Sequence, residues 1–260
     1  MTPLERRIVE ITFQERMSHL SSCLSAAPIL EEIFSVKKDD EVFILSNGHA
    51  GLALYCILEQ RYSIDPVALL HKHGIHPNRD LPNRLYCSTG SLGSGLPIAV
   101  GHALANRTKN VYCMISDGEC DEGTTWESAL LANHFSLNNL TVVIDRNGLQ
   151  SLNYTEETLK LEPLANKWKS FNWIVHEVDG HDHEALREKL MTKNDYKNQN
   201  EYSSVNPDAL ADGDAQGKGT GSFLDVYNQS AGGIQDIIER KSEIVINKYK
   251  DVTPYTTPSA

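Results

Sequence analysis

Four short, almost unbroken apolar runs, at residues 42–45, 111–115, 140–144 and 173–178, constrain this chain more than any other feature. A half-buried strand would alternate apolar and polar residues, so runs this short and this apolar read as strands covered on both faces. Helical patterns lie between them. Leu4, Ile8, Ile11 and Met17 recur at roughly helical spacing, and a helix through Leu52, Leu54 and Leu58 follows the first run. Further helices are expected at about residues 124–135 and 182–190, while residues 87–97, rich in glycine, serine and proline, read as a loop. Strands alternating with helices predict an α/β domain: a doubly wound, mainly parallel sheet with helices on both faces. At 260 residues the chain is long enough to bury such a core, and it contains no internal repeat.

The composition shifts after Lys193 towards Asn, Asp, Gly, Ser, Gln and Lys. The division expected is therefore a domain over 1–192, a polar linker over 193–222 and an irregular, extended C-terminal tail over 223–260. Within the tail, residues 234–240 have helical character, 243–249 alternate like a strand, and Pro254 and Pro258 favour extended chain.

A net charge of -11 argues against a general nucleic-acid binder or an anionic-membrane binder. No apolar run approaches the 18 or so residues a membrane span needs. The start, Met1-Thr2-Pro3-Leu4-Glu5-Arg6-Arg7, lacks the pattern of a secretory signal. Five cysteines, Cys23, Cys56, Cys87, Cys113 and Cys120, form no C-x-x-C pair, which fits reduced thiols in the cytoplasm.

The chemistry concentrates at two strand ends. Ile115-Ser116-Asp117-Gly118-Glu119 closes the second apolar run and Asp145-Arg146-Asn147-Gly148 closes the third. The carboxyl edge of a parallel sheet is where ligands bind, so Asp117 and Asn147, 30 residues apart, can converge there. Mg²⁺ takes oxygen ligands, commonly one or two protein groups completed by phosphate oxygens. The helix near Thr124 could aim its amides at the anion. Taken singly, Asp-Gly and Asn-Gly are ordinary turn formers; the pair on consecutive strands is more specific.

Ser116-Asp117-Gly118-Glu119, Glu122-Gly123, Trp126-Glu127 and Asp145-Arg146-Asn147-Gly148-Leu149-Gln150 resemble the cofactor motif of the transketolase family: a Gly-Asp-Gly, about thirty residues, then an Asn. Ser116 stands where that family usually has glycine. Leu45-Ser46-Asn47-Gly48-His49-Ala50, Gly74-Ile75-His76-Pro77 and Ser88-Thr89-Gly90-Ser91-Leu92-Gly93-Ser94-Gly95 resemble three further family segments, and His19 falls where its first active-site histidine stands. The resemblance implies thiamine diphosphate and Mg²⁺, or another divalent cation such as Ca²⁺. It implies Asp117, Asn147 and the Leu149 carbonyl as metal ligands, and His49, Gly90, Leu92, Gly118, Glu119 and Asn147 as cofactor contacts. His19, His49, His76 and Glu122 are the implied catalytic residues, with Glu122 reaching towards a glutamate of the partner subunit. The other histidines singled out, His71, His73, His134, His176, His181 and His183, read as surface or core residues.

In this family a second, pyrimidine-binding domain supplies the glutamate that activates the cofactor, and the residues after 193 show no second strand–helix series. The resemblance therefore implies the N-terminal subunit of a split transketolase. Such a protein moves a two-carbon ketol unit between sugar phosphates in a hetero-oligomer with a chain carrying the pyrimidine-binding and C-terminal domains. Pyruvate-using synthases of the superfamily remain open. The alternative is a catalytically silent module anchored by its tail in a larger assembly, such as a virus particle or scaffold. It gains weight if the polar stretch 194–215 has replaced the sheet's last strand; Gln216-Gly217-Lys218-Gly219-Thr220-Gly221-Ser222-Phe223 only faintly resembles the family's segment there.

Overall fold

A computed structural model describes residues 1–151, 153–196, 222–227 and 244–248. The four apolar runs form β1 (Val42–Leu45), β2 (Val111–Ser116), β3 (Leu140–Arg146) and β4 (Ile174–Asp179). Two more strands come from the region expected as tail, β5 (Ser222–Tyr227) and β6 (Ile244–Lys248). The sheet order is β1-β2-β3-β5-β4-β6. The first five strands are parallel, and β6 runs antiparallel to β4 and β5.

The described residues form nine helices: α1 (Pro3–Glu15), α2 (Leu20–Val36), α3 (Gly51–Tyr62), α4 (Pro66–His73), α5 (Gly95–Ala105), α6 (Gly123–His134), α7 (Thr155–Thr158), α8 (Leu164–Ser170) and α9 (His183–Tyr196). Local chemistry sets several of their starts. Thr2 and Glu5 cap α1 reciprocally, with Pro3 in the first turn. Asp65 accepts the Val67 and Ala68 amides to begin α4.

Strand pleating sends successive side chains to opposite faces. Phe43, Leu45, Tyr112, Met114, Val143 and Val178 pack in one core with residues of α1 to α4 and α9. Ile44, Val111, Cys113, Ile115, Val142 and Ile144 pack in another with residues of α5, α6 and α8. Burying one large aliphatic side chain is worth about 1.5–3 kcal/mol, whereas an exposed ion pair contributes about 0–1 kcal/mol. The two apolar layers, not the surface charges, hold this architecture. One ion pair lies deeper: buried Glu32 on α2 receives Nε and Nη2 of Arg187 at 2.8 and 3.0 Å and faces His183 Nδ1 at 2.9 Å, which fastens α9 to α2.

The elements depart from expectation in three places. Pro97 does not extend the loop; it lies in the first turn of α5, where its missing N–H costs nothing. The helix expected to close near Leu190 continues to Tyr196. The sheet has a strand between β3 and β4, supplied by Ser222–Tyr227. The polar stretch 197–221, the helical character at 234–240 and the extended end at 254–258 lie outside the described residues. All five cysteines are buried. No helix among the described residues is long and apolar enough to cross a membrane.

Candidate functional site

Parallel pairing sets Ser116 opposite Asp145, so Asp117 and Asn147 leave adjacent strands at the same carboxyl edge. Asp117 opens a 3-10 turn, Asp117–Asp121, and its carboxylate is buried. Its Oδ1 accepts the Gly118 amide at 2.8 Å; its Oδ2 accepts the Gly148 amide at 2.8 Å and the Thr155 hydroxyl at 3.1 Å. Asn147 Oδ1 accepts the Leu149 amide at 3.0 Å. Asp117, Gly118, Asn147 and Leu149 are thus brought together by the sheet.

Burial dominates the electrostatics of this edge. Burial pushes the Asp117 carboxyl up to about 6 despite its hydrogen bonds. Asp145 is pushed up to about 8, first by burial and further by repulsion from Asp117, although Ser25 donates to it at 2.6 Å. Carboxylate, amide oxygen and main-chain carbonyl form an all-oxygen set suited to Mg²⁺ or Ca²⁺. Among the described residues no cluster of three His, Cys, Asp or Glu side chains exists to hold a metal alone. Nearby, both amide atoms of Asn47 and the Thr89 hydroxyl are buried without a partner among the described residues, in loops that touch: a Cβ on Gly48 would lie 2.7 Å from Thr89 Oγ1. Unsatisfied buried polar groups of this kind suit a polar ligand.

Glu119 sits differently from its neighbours. Its side chain is consumed by the protein: Oε1 accepts the Ser46 hydroxyl at 2.5 Å and the Gly93 amide at 3.0 Å, and Oε2 accepts the Ser116 amide at 2.9 Å. Ser46 Oγ in turn accepts the Gly95 amide at 3.0 Å. One buried carboxyl, pushed up to about 7 by burial, therefore joins the end of β1, the end of β2 and the 88–95 loop. Within that loop Gly90 has φ 126°, and a Cβ there would stand 3.0 Å from the His76 ring. Gly93 has φ 74° and abuts Thr124 and Glu122. Both positions need glycine. Leu92, between them, is exposed, as is Glu122 at the start of α6.

The three singled-out histidines meet. His19 lies 6.0 Å from His49 and 6.1 Å from His76 between ring centroids. His19 takes a left-handed backbone, φ 64°, at the residue just before α2. His49 is lowered to about 4 by burial and by the neighbouring His19 and His76, so its ring is neutral near pH 7. The remaining histidines lie elsewhere: His71 faces Glu15, His73 faces Asp80, His183 faces Glu32, and His134 packs on Phe135. His176 is in β4 and His181 follows it. Ser25 and Thr155 carry no functional mark in the sequence, because their partners are distant in the chain.

Comparison with known proteins places the chain in a family. The family described as transketolase, thiamine diphosphate binding domain, matches residues 34–205. One of the subunits of the apulose-4-phosphate transketolase of Phocaeicola vulgatus is 31% identical over 236 residues, covering 82% of this chain and 80% of that protein. The 6-deoxy-6-sulfo-D-fructose transketolase subunit SqwG of a Clostridium species is 34% identical over 192 residues, 65% of this chain and 69% of that one. Among solved structures, Pichia stipitis transketolase with xylulose 5-phosphate superposes with a TM-score of 0.65 at 23% identity, over 74% of this chain and 33% of that chain. The Leishmania mexicana enzyme gives 0.57 at 22% identity, over 74% and 35%. The chain thus spans about a third of the solved transketolases, whose likeness at this identity speaks for the fold. With more than half of its length inside the family's cofactor domain, the chain belongs to the transketolase family.

Proposed function

We propose that this chain is the N-terminal subunit of a thiamine-diphosphate-dependent transketolase, which moves a two-carbon ketol unit between sugar phosphates together with a partner chain. The observation that carries the proposal is the convergence of Asp117 and Asn147 at one sheet edge, with Gly148 donating directly to Asp117. On this reading Asp117, Asn147 and the Leu149 carbonyl hold Mg²⁺ or Ca²⁺, and Gly118, Glu119, Gly90 and Leu92 shape the cofactor's bed. When bound, thiamine diphosphate supplies the electron sink for breaking a carbon–carbon bond beside a carbonyl. Around it, His19, His49 and His76 bind sugar hydroxyls and hold or pass protons, His49 as a neutral ring.

The partner chain carries the pyrimidine-binding and C-terminal domains and meets this chain near exposed Glu122. An apolar surface supports that docking: Ile98 and Leu104 on α5 and Leu130 and Leu131 on α6 are exposed, and the two helices pack together. We place the working unit, a hetero-oligomer, in the cytoplasm, with residues 1–192 as its diphosphate-binding domain and β5 and β6 completing the sheet. Since β5 fills the strand position whose loss would favour a tail-anchored silent module, the enzymatic reading is preferred.

The test is thiamine diphosphate binding by calorimetry, with and without Mg²⁺, on the chain and whatever copurifies. Binding that requires Mg²⁺ and disappears in Asp117→Ala is expected. Unchanged affinity in that variant would remove the cation assignment.

A further inference from the structure

Asp117 is held by three donors, and one of them is a side chain from a segment outside the family's cofactor motif. Thr155, first residue of α7, is buried and donates from Oγ1 to Asp117 Oδ2 at 3.1 Å across 38 residues. The same residue's amide donates to the Gly148 carbonyl at 3.0 Å, while the Gly148 amide donates to Asp117 Oδ2 at 2.8 Å. The three contacts close a ring through Asp117, Gly148 and Thr155. The loop between them is folded back on itself by a Leu149–Tyr154 bridge and by the Gln150 amide on the Asn153 carbonyl at 2.8 Å.

The ring has a chemical consequence. A carboxylate offers about four acceptor directions. Oδ2 spends two on Gly148 and Thr155 and Oδ1 spends one on Gly118, which leaves the carboxylate turned one way with acceptor capacity to spare. Two of these donors are main-chain amides, which any residue but proline carries. The Thr155 hydroxyl is the side-chain donor to Asp117 among the described residues.

We propose that Thr155 is a positioning residue for the cation site: its hydroxyl fixes the Asp117 carboxylate in the orientation that binds the divalent cation. The proposal rests on the reading of Asp117 as a cation ligand. Groups that orient a metal ligand typically change metal affinity by about 10- to 100-fold when removed.

The experiment compares the wild-type chain, with its copurifying partner, against Thr155→Val, Thr155→Ala, Thr155→Ser and Asp117→Ala. The readouts are apparent Mg²⁺ affinity at saturating thiamine diphosphate and the thermal midpoint without Mg²⁺. Thr155→Val keeps the shape and the amide contact to Gly148 and removes the hydroxyl; Thr155→Ala removes it without bulk; Thr155→Ser restores it. Mg²⁺ affinity is expected to fall at least about tenfold in the Val and Ala variants and to stay within about threefold in Ser. Wild-type affinity in Val or Ala, or an equal loss in Ser, overturns the assignment. If Asp117→Ala binds Mg²⁺ as the wild type does, the cation reading itself fails, and the Thr155 proposal falls with it. Loss in Asp117→Ala with no loss in Thr155→Val removes the Thr155 proposal alone.

Discussion

Ser25 and Asp145 stand 120 residues apart in sequence, yet the Ser25 hydroxyl donates to Asp145 Oδ2 at 2.6 Å inside the protein. The bond ties α2, which follows His19, to the end of β3, two residues before Asn147. The histidine side of the site and the Asp117–Asn147 side share this contact. Removing the donor leaves a buried carboxyl short of a partner, at about 1–3 kcal/mol. Ser25→Ala should lower unfolding free energy by that amount in urea melts. A change below about 0.5 kcal/mol, the scatter of neutral surface substitutions, would mean the bond carries no weight.

Stability without cation should fall as pH rises. Asp117, Glu119 and Asp145 are raised to about 6, 7 and 8, in each case first by burial. A carboxyl with a raised folded-state pKa keeps a proton that the unfolded chain has released, so its advantage is complete below about pH 4 and is lost as pH climbs through the folded value. The thermal midpoint should therefore be higher at about pH 5.5 than at about pH 8.5. Thiamine diphosphate with Mg²⁺ should lift the alkaline end more than the acid end. A flat profile without ligand would show that these carboxyls are solvated.

His49 should remain neutral through the working range. Its pKa is lowered to about 4, mainly by burial. The sign is opposite to that of the carboxyls: this ring's contribution is present above about pH 6.5 and lost as pH falls towards about 4. Imidazole NMR titration should find no protonation of His49 between about pH 5.5 and 8. In the assembled enzyme His49→Gln should cost about 10²–10⁴ in kcat/KM, the range for positioned acid–base groups, with little change in melting.

Glu119→Ala should loosen the 88–95 loop. The Ser46 hydroxyl and the Gly93 and Ser116 amides lose one common acceptor. Each buried donor left unmatched costs about 1–3 kcal/mol. Amide exchange at Gly93 and Gly95 should quicken before the core strands respond; protection unchanged at both would show that the loop is held by other means.

The features legible in the sequence are those with a local signature. The four apolar runs mark strands because a sheet covered on both faces leaves no polar alternation, and Asp117 and Asn147 stand out because they follow two of those runs. Ser25 with Asp145, Thr155 with Asp117 and Glu119 with Ser46 carry no such mark, since each pair is joined only by the tertiary fold. The strand Ser222–Tyr227 is hidden for a different reason: a six-residue, largely apolar stretch is masked by the glycine-rich and polar sequence around it. Pro97 reads two ways, because proline stops a helix in its interior but is welcome in its first turn.

The place of β5 also sets an order of events during synthesis. β3 and β4 are not neighbours; β5 lies between them, so their axes stand two strand spacings apart, about 9–10 Å. Until Ser222–Tyr227 has left the ribosome, each of those strands presents an unpaired edge to the same slot. From Asp179 to Tyr227 is 48 residues, or roughly 2–10 s at about 5–20 residues per second. For those seconds the nascent chain carries an open, strand-shaped slot, a target for a chaperone or for the edge of another nascent chain.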